Sequence, residues 1–209
     1  MSATQLYLLR HAEVEERYHR TFGGSGIDMA LSPEGHLQAA KLAEWLGRRE
    51  IDAAYLSPMQ RVQLTAQPWR AEFSGPTEIL PDLREVDFGS WTGLNWAEVQ
   101  ERFGVSAFDW LQVFTKGFPG GEDAADFRRR LQGCLDRILL EQTGRRVAVF
   151  CHGGVVRGLL SCLLDLPLHR FEAIEVDYAS CTWITVGEVR AGRIRQEVQL
   201  LNFTPWRDL

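Results

Sequence analysis

Cysteine is scarce in this chain, and its spacing is as informative as its count. The four residues, Cys134, Cys151, Cys162 and Cys181, form no CxxC pair and no metal-ligand spacing. That excludes a zinc ribbon or a dithiol redox motif, and no metal or cofactor is expected. Three of the four lie in apolar surroundings, where cysteine is a small core residue of a reducing compartment, so a cytoplasmic location is expected. No apolar run is long enough to cross a bilayer. The opening MSATQLYLLRH lacks the basic segment, apolar segment and cleavage site of a secretory leader. Positive charge is also in short supply: 23 Lys and Arg stand against 28 Asp and Glu, for a net charge of -5. The two signs are interspersed, which argues against a nucleic-acid surface. The run Arg128-Arg129-Arg130 reads as the solvated face of a helix. Repeats, low-complexity tracts and linkers are absent. At 209 residues and 45% hydrophobic, the chain reads as one domain over residues 1–209, with a small cap inserted at about 88–120.

What is present alternates between strands and helices, the pattern of an α/β fold with a largely parallel sheet. A strand is expected over Gln5–Leu9. A helix follows from Ser32-Pro33-Glu34 to about Arg49, with Ser32 as N-cap and Pro33 at its first position. The strand Ile51–Leu56 leads to a second start of that kind, Ser57-Pro58, and a helix carrying Arg61, Val62 and Thr65. A short strand lies near Glu78-Ile79-Leu80. Between Phe88 and Phe118 the chain is rich in aromatics (Phe88, Trp91, Trp96, Phe103, Phe108, Trp110, Phe114, Phe118) and broken by Gly93, Gly104 and Gly117. These aromatics either roof a ligand or form a local core. An amphipathic helix follows at about Gly121–Gln142, with Phe127, Leu131, Leu135 and Ile138 at helical spacing. Then come a buried strand, Val147–Phe150, and a helix, Val155–Leu164. Two β-rich runs, Cys181–Val186 and Ile194–Leu201, make an edge hairpin turning at Ala191-Gly192.

Two histidines occupy equivalent places. His11 follows the first strand and His152 follows Val147–Phe150, and ligands of open α/β sheets bind beyond the carboxyl ends of strands. Arg10 precedes the first. Gly153-Gly154 follows the second, letting backbone approach a ligand at a helix N-terminus. Arg61 lies in the first turn of another helix. Guanidinium groups grip phosphate oxygens through forked bonds, and a neutral imidazole nitrogen can attack phosphorus. A departing alkoxide needs a proton, and LPDLREVDFGSWTG offers Asp82, Glu85 and Asp87. Gly23-Gly24-Ser25-Gly26 lacks the ending of a nucleotide P-loop and reads as a flexible turn. His19, His36 and His169 are assigned no role.

The segments LLRHAE, LSPEGHLQA, IDAAYLSPMQRVQLTA, LREVDFGSWTG, PGGEDAADFRRR and VAVFCHGGVVRGLL occur in this order between Leu6 and Leu164. Together they resemble the histidine phosphatase superfamily, the phosphoglycerate mutase-like proteins. The resemblance implies a three-layer helix–sheet–helix sandwich, mostly parallel with an antiparallel edge, and a small helical cap. It implies His11 as the nucleophile that becomes phosphohistidine. Arg10, Arg61 and His152 would hold the phosphate and stabilise its charge, with Gly153 beside them, and Glu85 would protonate the leaving oxygen and then activate water. The sequence departs from the family pattern at Ala12, where a glycine is usual and a methyl would stand near the phosphate. It also departs at Val14 in place of a threonine, and at Arg17 in place of an asparagine. Arg17 either adds a third cation for substrate or faces solvent, the second being favoured.

The stretch between Glu85 and His152 is compact, which favours a phosphatase over a mutase. LREVDFGSWTGLNWAEV is most similar to α-ribazole phosphatases and broad-specificity phosphatases. The expected activity is hydrolysis of a small phosphorylated metabolite. Mutase-type phosphoryl transfer and non-catalytic phosphate binding are the alternatives. No nucleic-acid or membrane partner is expected, and a homodimer is left open.

Overall fold

The computed structural model describes residues 3–106, 109–190 and 193–209. The first strand, β1 (Thr4–Arg10), is buried on both faces, as a run of Leu and Tyr without polar alternation demands. Ser32 caps α1 (Pro33–Gly47) by accepting from the Gly35 N–H at 2.9 Å. β2 (Ala53–Leu56) follows. The next helix, α2, spans Gln60–Arg70 with Met59 at its N-cap. Ser57-Pro58 therefore does not start it. Ser57 lies ahead of the helix, and its hydroxyl is taken by His152 instead. Strand β3 is Thr77–Ile79. Two short helices, α3 (Trp96–Phe103) and α4 (Trp110–Lys116), follow β3 where the cap is expected, and Gly104 ends α3 at φ 66° where a side chain would be strained.

Helix α5 begins at Ala124, three residues later than the pattern gave, because Asp123 accepts from the Asp126 N–H at 2.7 Å and caps it; it ends at Glu141. β4 (Arg146–Cys151) runs into α6 (Gly153–Leu164). β5 (Cys181–Arg190) and β6 (Arg193–Phe203) pair antiparallel, and α7 (Pro205–Asp208) follows. The hairpin turn expected at Ala191-Gly192, Phe108, and the side chain of Trp110 lie outside the described residues.

The six strands are ordered β3-β2-β4-β1-β5-β6, the first four parallel and the last two antiparallel. Side-chain alternation sorts the core into two layers. Tyr7, Leu9, Ala148 and Phe150 pack with Leu42, Leu46, Val62 and Ala66 of α1 and α2. Leu6, Leu8, Val147 and Val149 pack with Leu131, Leu135, Val156 and Leu159 of α5 and α6. This is the expected helix–sheet–helix sandwich. In the aromatic stretch Trp91 is buried, with Phe22, Phe118 and Trp96 at 5.3, 5.0 and 6.1 Å between ring centroids. The aromatics thus make a local core, and Phe88, Phe114 and Phe118 also face a cavity. Among the described residues no helix is long and apolar enough to cross a membrane.

Candidate active site

β1 and β4 are parallel neighbours in register, Arg10 opposite Cys151, so the residues that follow them emerge side by side. The His11 N–H donates to the Cys151 carbonyl at 3.0 Å, and the two imidazoles lie 5.3 Å apart, edge to face. Nδ1 of His11 is 2.8 Å from the carbonyl oxygen of Ala12. A carbonyl only accepts, so Nδ1 carries the hydrogen and Nε2 keeps its lone pair. Burial, then the nearby Arg61 and Arg10 charges, hold His11 well below the usual histidine pKa, against a small opposing pull from the Ala12 carbonyl. His11 is therefore a neutral imidazole held in one orientation.

Arg61, 3% exposed, is fixed at all three nitrogens: Nε to His152 Nδ1 at 3.2 Å, and the other two to the carbonyls of Ile27 at 3.1 Å and Gly24 at 2.8 Å. The Gly23-Gly24 turn is accordingly buried rather than loose. Gly24 sits at φ +48°, and a Cβ there would come 2.3 Å from the Val86 carbonyl. His152 is fully buried, and Ser57 Oγ lies 2.8 Å from its Nε2. Burial, Arg61, His11 and Arg10 all lower its pKa well below the usual value. Thr65 ties the two halves together, accepting from the Ala12 N–H at 2.9 Å and donating to the Arg61 carbonyl at 2.7 Å.

Arg10 donates to the Val176 carbonyl, and its guanidinium carbon sits 4.1 Å from the centroid of the Tyr178 ring, which also faces His11. Its buried Nε has no partner among the described residues. A donor desolvated without a partner is costly, and an anion in the site relieves that cost. Glu85 is held at the N-terminus of α6, where the Gly154 N–H donates to it at 3.0 Å; its other oxygen accepts from the Val86 N–H at 3.1 Å. Its backbone is clamped from below. Arg130, which the arginine run placed in solvent, is only 7% exposed and ion-paired with Glu122, while its Nη1 donates to the Asp82 and Arg84 carbonyls at 2.6 and 2.9 Å. Arg128 and Arg129 are exposed as expected.

Arg10, His11, Arg61, Glu85, His152 and Gly153 therefore come together. Arg17 does not join them: its side chain is 67% exposed and paired with Glu15 at 2.8 Å. Ala12 turns its methyl into the core beside α1 and α2, where it is part of the packing, and Val14 is buried and bridges the Leu31 backbone. Ser57, Thr65, Tyr178 and Arg130 were not singled out for the site in the sequence. Only Ser57 carried a local signal, and that signal reads equally as a helix cap. Among the described residues no three metal-ligating side chains come together.

The chain belongs to the histidine phosphatase superfamily (branch 1), whose pattern matches residues 6–197. A bifunctional protein of Mycobacterium tuberculosis is 35% identical over 178 residues, covering 85% of this chain and 49% of that protein. The chain thus spans about half the length of that relative. Phosphoserine phosphatase 1 of Hydrogenobacter thermophilus is 33% identical over 188 residues, covering 89% of this chain and 88% of that one. Mycobacterial glucosyl-3-phosphoglycerate phosphatase has a similar structure, with a TM-score of 0.86 at 25% identity over 96% of this chain and 99% of that one.

Proposed function

We propose that the protein hydrolyses a small phosphomonoester through a phosphohistidine on His11. The observation that carries this reading is the free Nε2 of a neutral, buried imidazole whose other nitrogen is locked to the Ala12 carbonyl, between two arginines. Nε2 attacks phosphorus, and the P–O bond to the alcohol breaks as the P–N bond forms. Arg10, Arg61 and the Gly153 backbone carry the phosphoryl charge among buried side chains, where fixed donors are worth most. His152, whose one N–H is held by Ser57, backs Arg61 through their shared bond. Glu85 gives its proton to the departing oxygen. As a carboxylate it then takes a proton from water, whose oxygen displaces the histidine and releases inorganic phosphate.

No added metal is needed, since the guanidinium groups supply the positive charge. The compact segment between Glu85 and His152 favours transfer to water over transfer to a second hydroxyl. α-Ribazole phosphate, phosphoserine and a broad range of esters remain the substrates to compare. Burial raises the thiols of Cys134, Cys151 and Cys181 above their usual values, so they take no part in the chemistry.

The test is phosphate release, without added metal, from an aryl phosphate, α-ribazole phosphate, phosphoserine and 3-phosphoglycerate, with His11→Ala alongside. Release that vanishes in the variant is expected. Release unchanged in the variant, or none from any ester, overturns the reading.

A further inference from the structure

Beyond Arg10 and Glu85 the site opens into a cavity of about 410 Å³, far more than a phosphate group fills. Phe88, Phe114, Phe118 and Phe127 make its apolar wall. Arg157, one helical turn past Gly153-Gly154 on α6, also lines the cavity, together with Glu172, Glu175 and Asp177. Its Nε donates to the Ile174 carbonyl at 3.0 Å, and its two Nη atoms make no hydrogen bond or ion pair among the described residues. A Cβ built on Gly153 would lie 3.4 Å from Arg10 Nε and 3.6 Å from Arg157 Nη1, so those two nitrogens are within about 7 Å of one another. Burial lowers the Arg157 pKa, while the carboxylates of Glu85, Glu175 and Glu172 raise it. A half-desolvated guanidinium whose Nη atoms hold no bonded partner among the described residues, next to one that meets phosphate, can take a second anionic group. The nearby carboxylates suit a substrate that also carries a donor or an ammonium.

We propose that Arg157 reads a second anionic group on the substrate. The preferred ester carries a carboxylate or similar anion a few carbons from the ester oxygen, with any larger body against the phenylalanine wall. This rests on the phosphatase reading above. It also places Gly153 in a second role, since only a residue without a side chain leaves the space between Arg10 and Arg157 open.

The test compares matched esters with and without the acid: phosphoserine against phosphoethanolamine, 3-phosphoglycerate against glycerol 3-phosphate, and 3-carboxyphenyl against phenyl phosphate. The acid-bearing member is expected to have a kcat/KM higher by about tenfold or more, the size of a charge-assisted bond. In Arg157→Met that ratio falls to near one, and in Arg157→Lys part of it survives. A ratio near one in the unaltered protein, or a Met variant that slows both members equally, overturns the inference. Should the Met variant fail to fold, the ratio in the unaltered protein and in the Lys variant decides. His11-dependent release without any preference sinks this inference alone, whereas absence of release from every ester sinks the phosphatase reading itself.

Discussion

Arg61 donates its Nε–H to Nδ1 of His152 over 3.2 Å. An arginine nitrogen is never an acceptor, so Nδ1 is bare and the His152 proton resides on Nε2, facing the Ser57 hydroxyl at 2.8 Å. One contact thus sets the tautomer of a buried imidazole and gives Ser57 its role.

Ser57→Ala leaves that Nε2–H without a partner in a fully buried position. Stability is expected to drop by about 1–3 kcal/mol, the cost of an orphaned buried donor. Urea unfolding checks it, and kcat/KM on an aryl phosphate is expected to fall about tenfold as His152 loses its anchor. An unchanged unfolding midpoint would show that water replaces the hydroxyl.

Acid should affect rate and stability differently. His11 and His152 are both lowered, first by burial and then by neighbouring positive charges. The acidic limb of kcat/KM, which reports the neutral nucleophile, should therefore lie below the ordinary histidine value of about 6.5. In the window between the folded pKa and about 6.5 the unfolded chain binds more protons than the folded one, so stability is full above that window and declines as pH falls through it. Denaturation at pH 7 and pH 5.5 tests the sign, with the lower midpoint expected at pH 5.5.

Arg130 and Glu122 form a bidentate pair, at 7% and 9% exposure, under the loop that carries Glu85. Arg130→Met strands Glu122 as a buried charge and is expected to cost about 3–5 kcal/mol. Adding Glu122→Leu should recover much of it, a result that urea titration of the single and double variants reads directly. No recovery would show that the bonds from Arg130 to the Asp82 and Arg84 carbonyls matter more than the ion pair.

Gly154→Ala tests the acid. A Cβ at this position would lie 2.4 Å from Glu85 Oε1, at the mobile end of a side chain, so the carboxyl must swing away while the fold is kept. Alkyl esters, whose leaving oxygen needs a proton, should slow by about a hundredfold or more. A dinitrophenyl ester, which leaves unaided, should slow much less. Equal losses on both would remove Glu85 from the proton's path.

Both histidine-bearing strands were legible because each lies at a place where periodicity and chemistry coincide: an apolar run that ends in Arg10-His11, another that ends in Cys151-His152; that the two are neighbours was not. Helix α1 was readable from Ser32-Pro33 because that serine does cap. The same dipeptide misled at Ser57-Pro58, since a hydroxyl can be claimed by any buried partner, and His152 comes from 95 residues away. Arg130 was invisible for a similar reason. Nothing in a run of three arginines tells which one turns inward, and its carboxylate partner Glu122 lies outside the helix register. The Gly23-Gly24 turn could be read only as a turn, because what makes it part of the site is the grip of Arg61 on the Gly24 carbonyl.

The most direct test of the account is a trapped phosphoenzyme. The protein is mixed with an aryl phosphate, quenched in alkali and digested, and the peptides are read by mass spectrometry, with Glu85→Gln included to slow attack by water. The account predicts a phosphoryl group on His11, stable in alkali and lost in acid, more abundant in Glu85→Gln and absent in His11→Ala. A phosphoryl group on another residue, or turnover of the ester with His11 never modified, would contradict it.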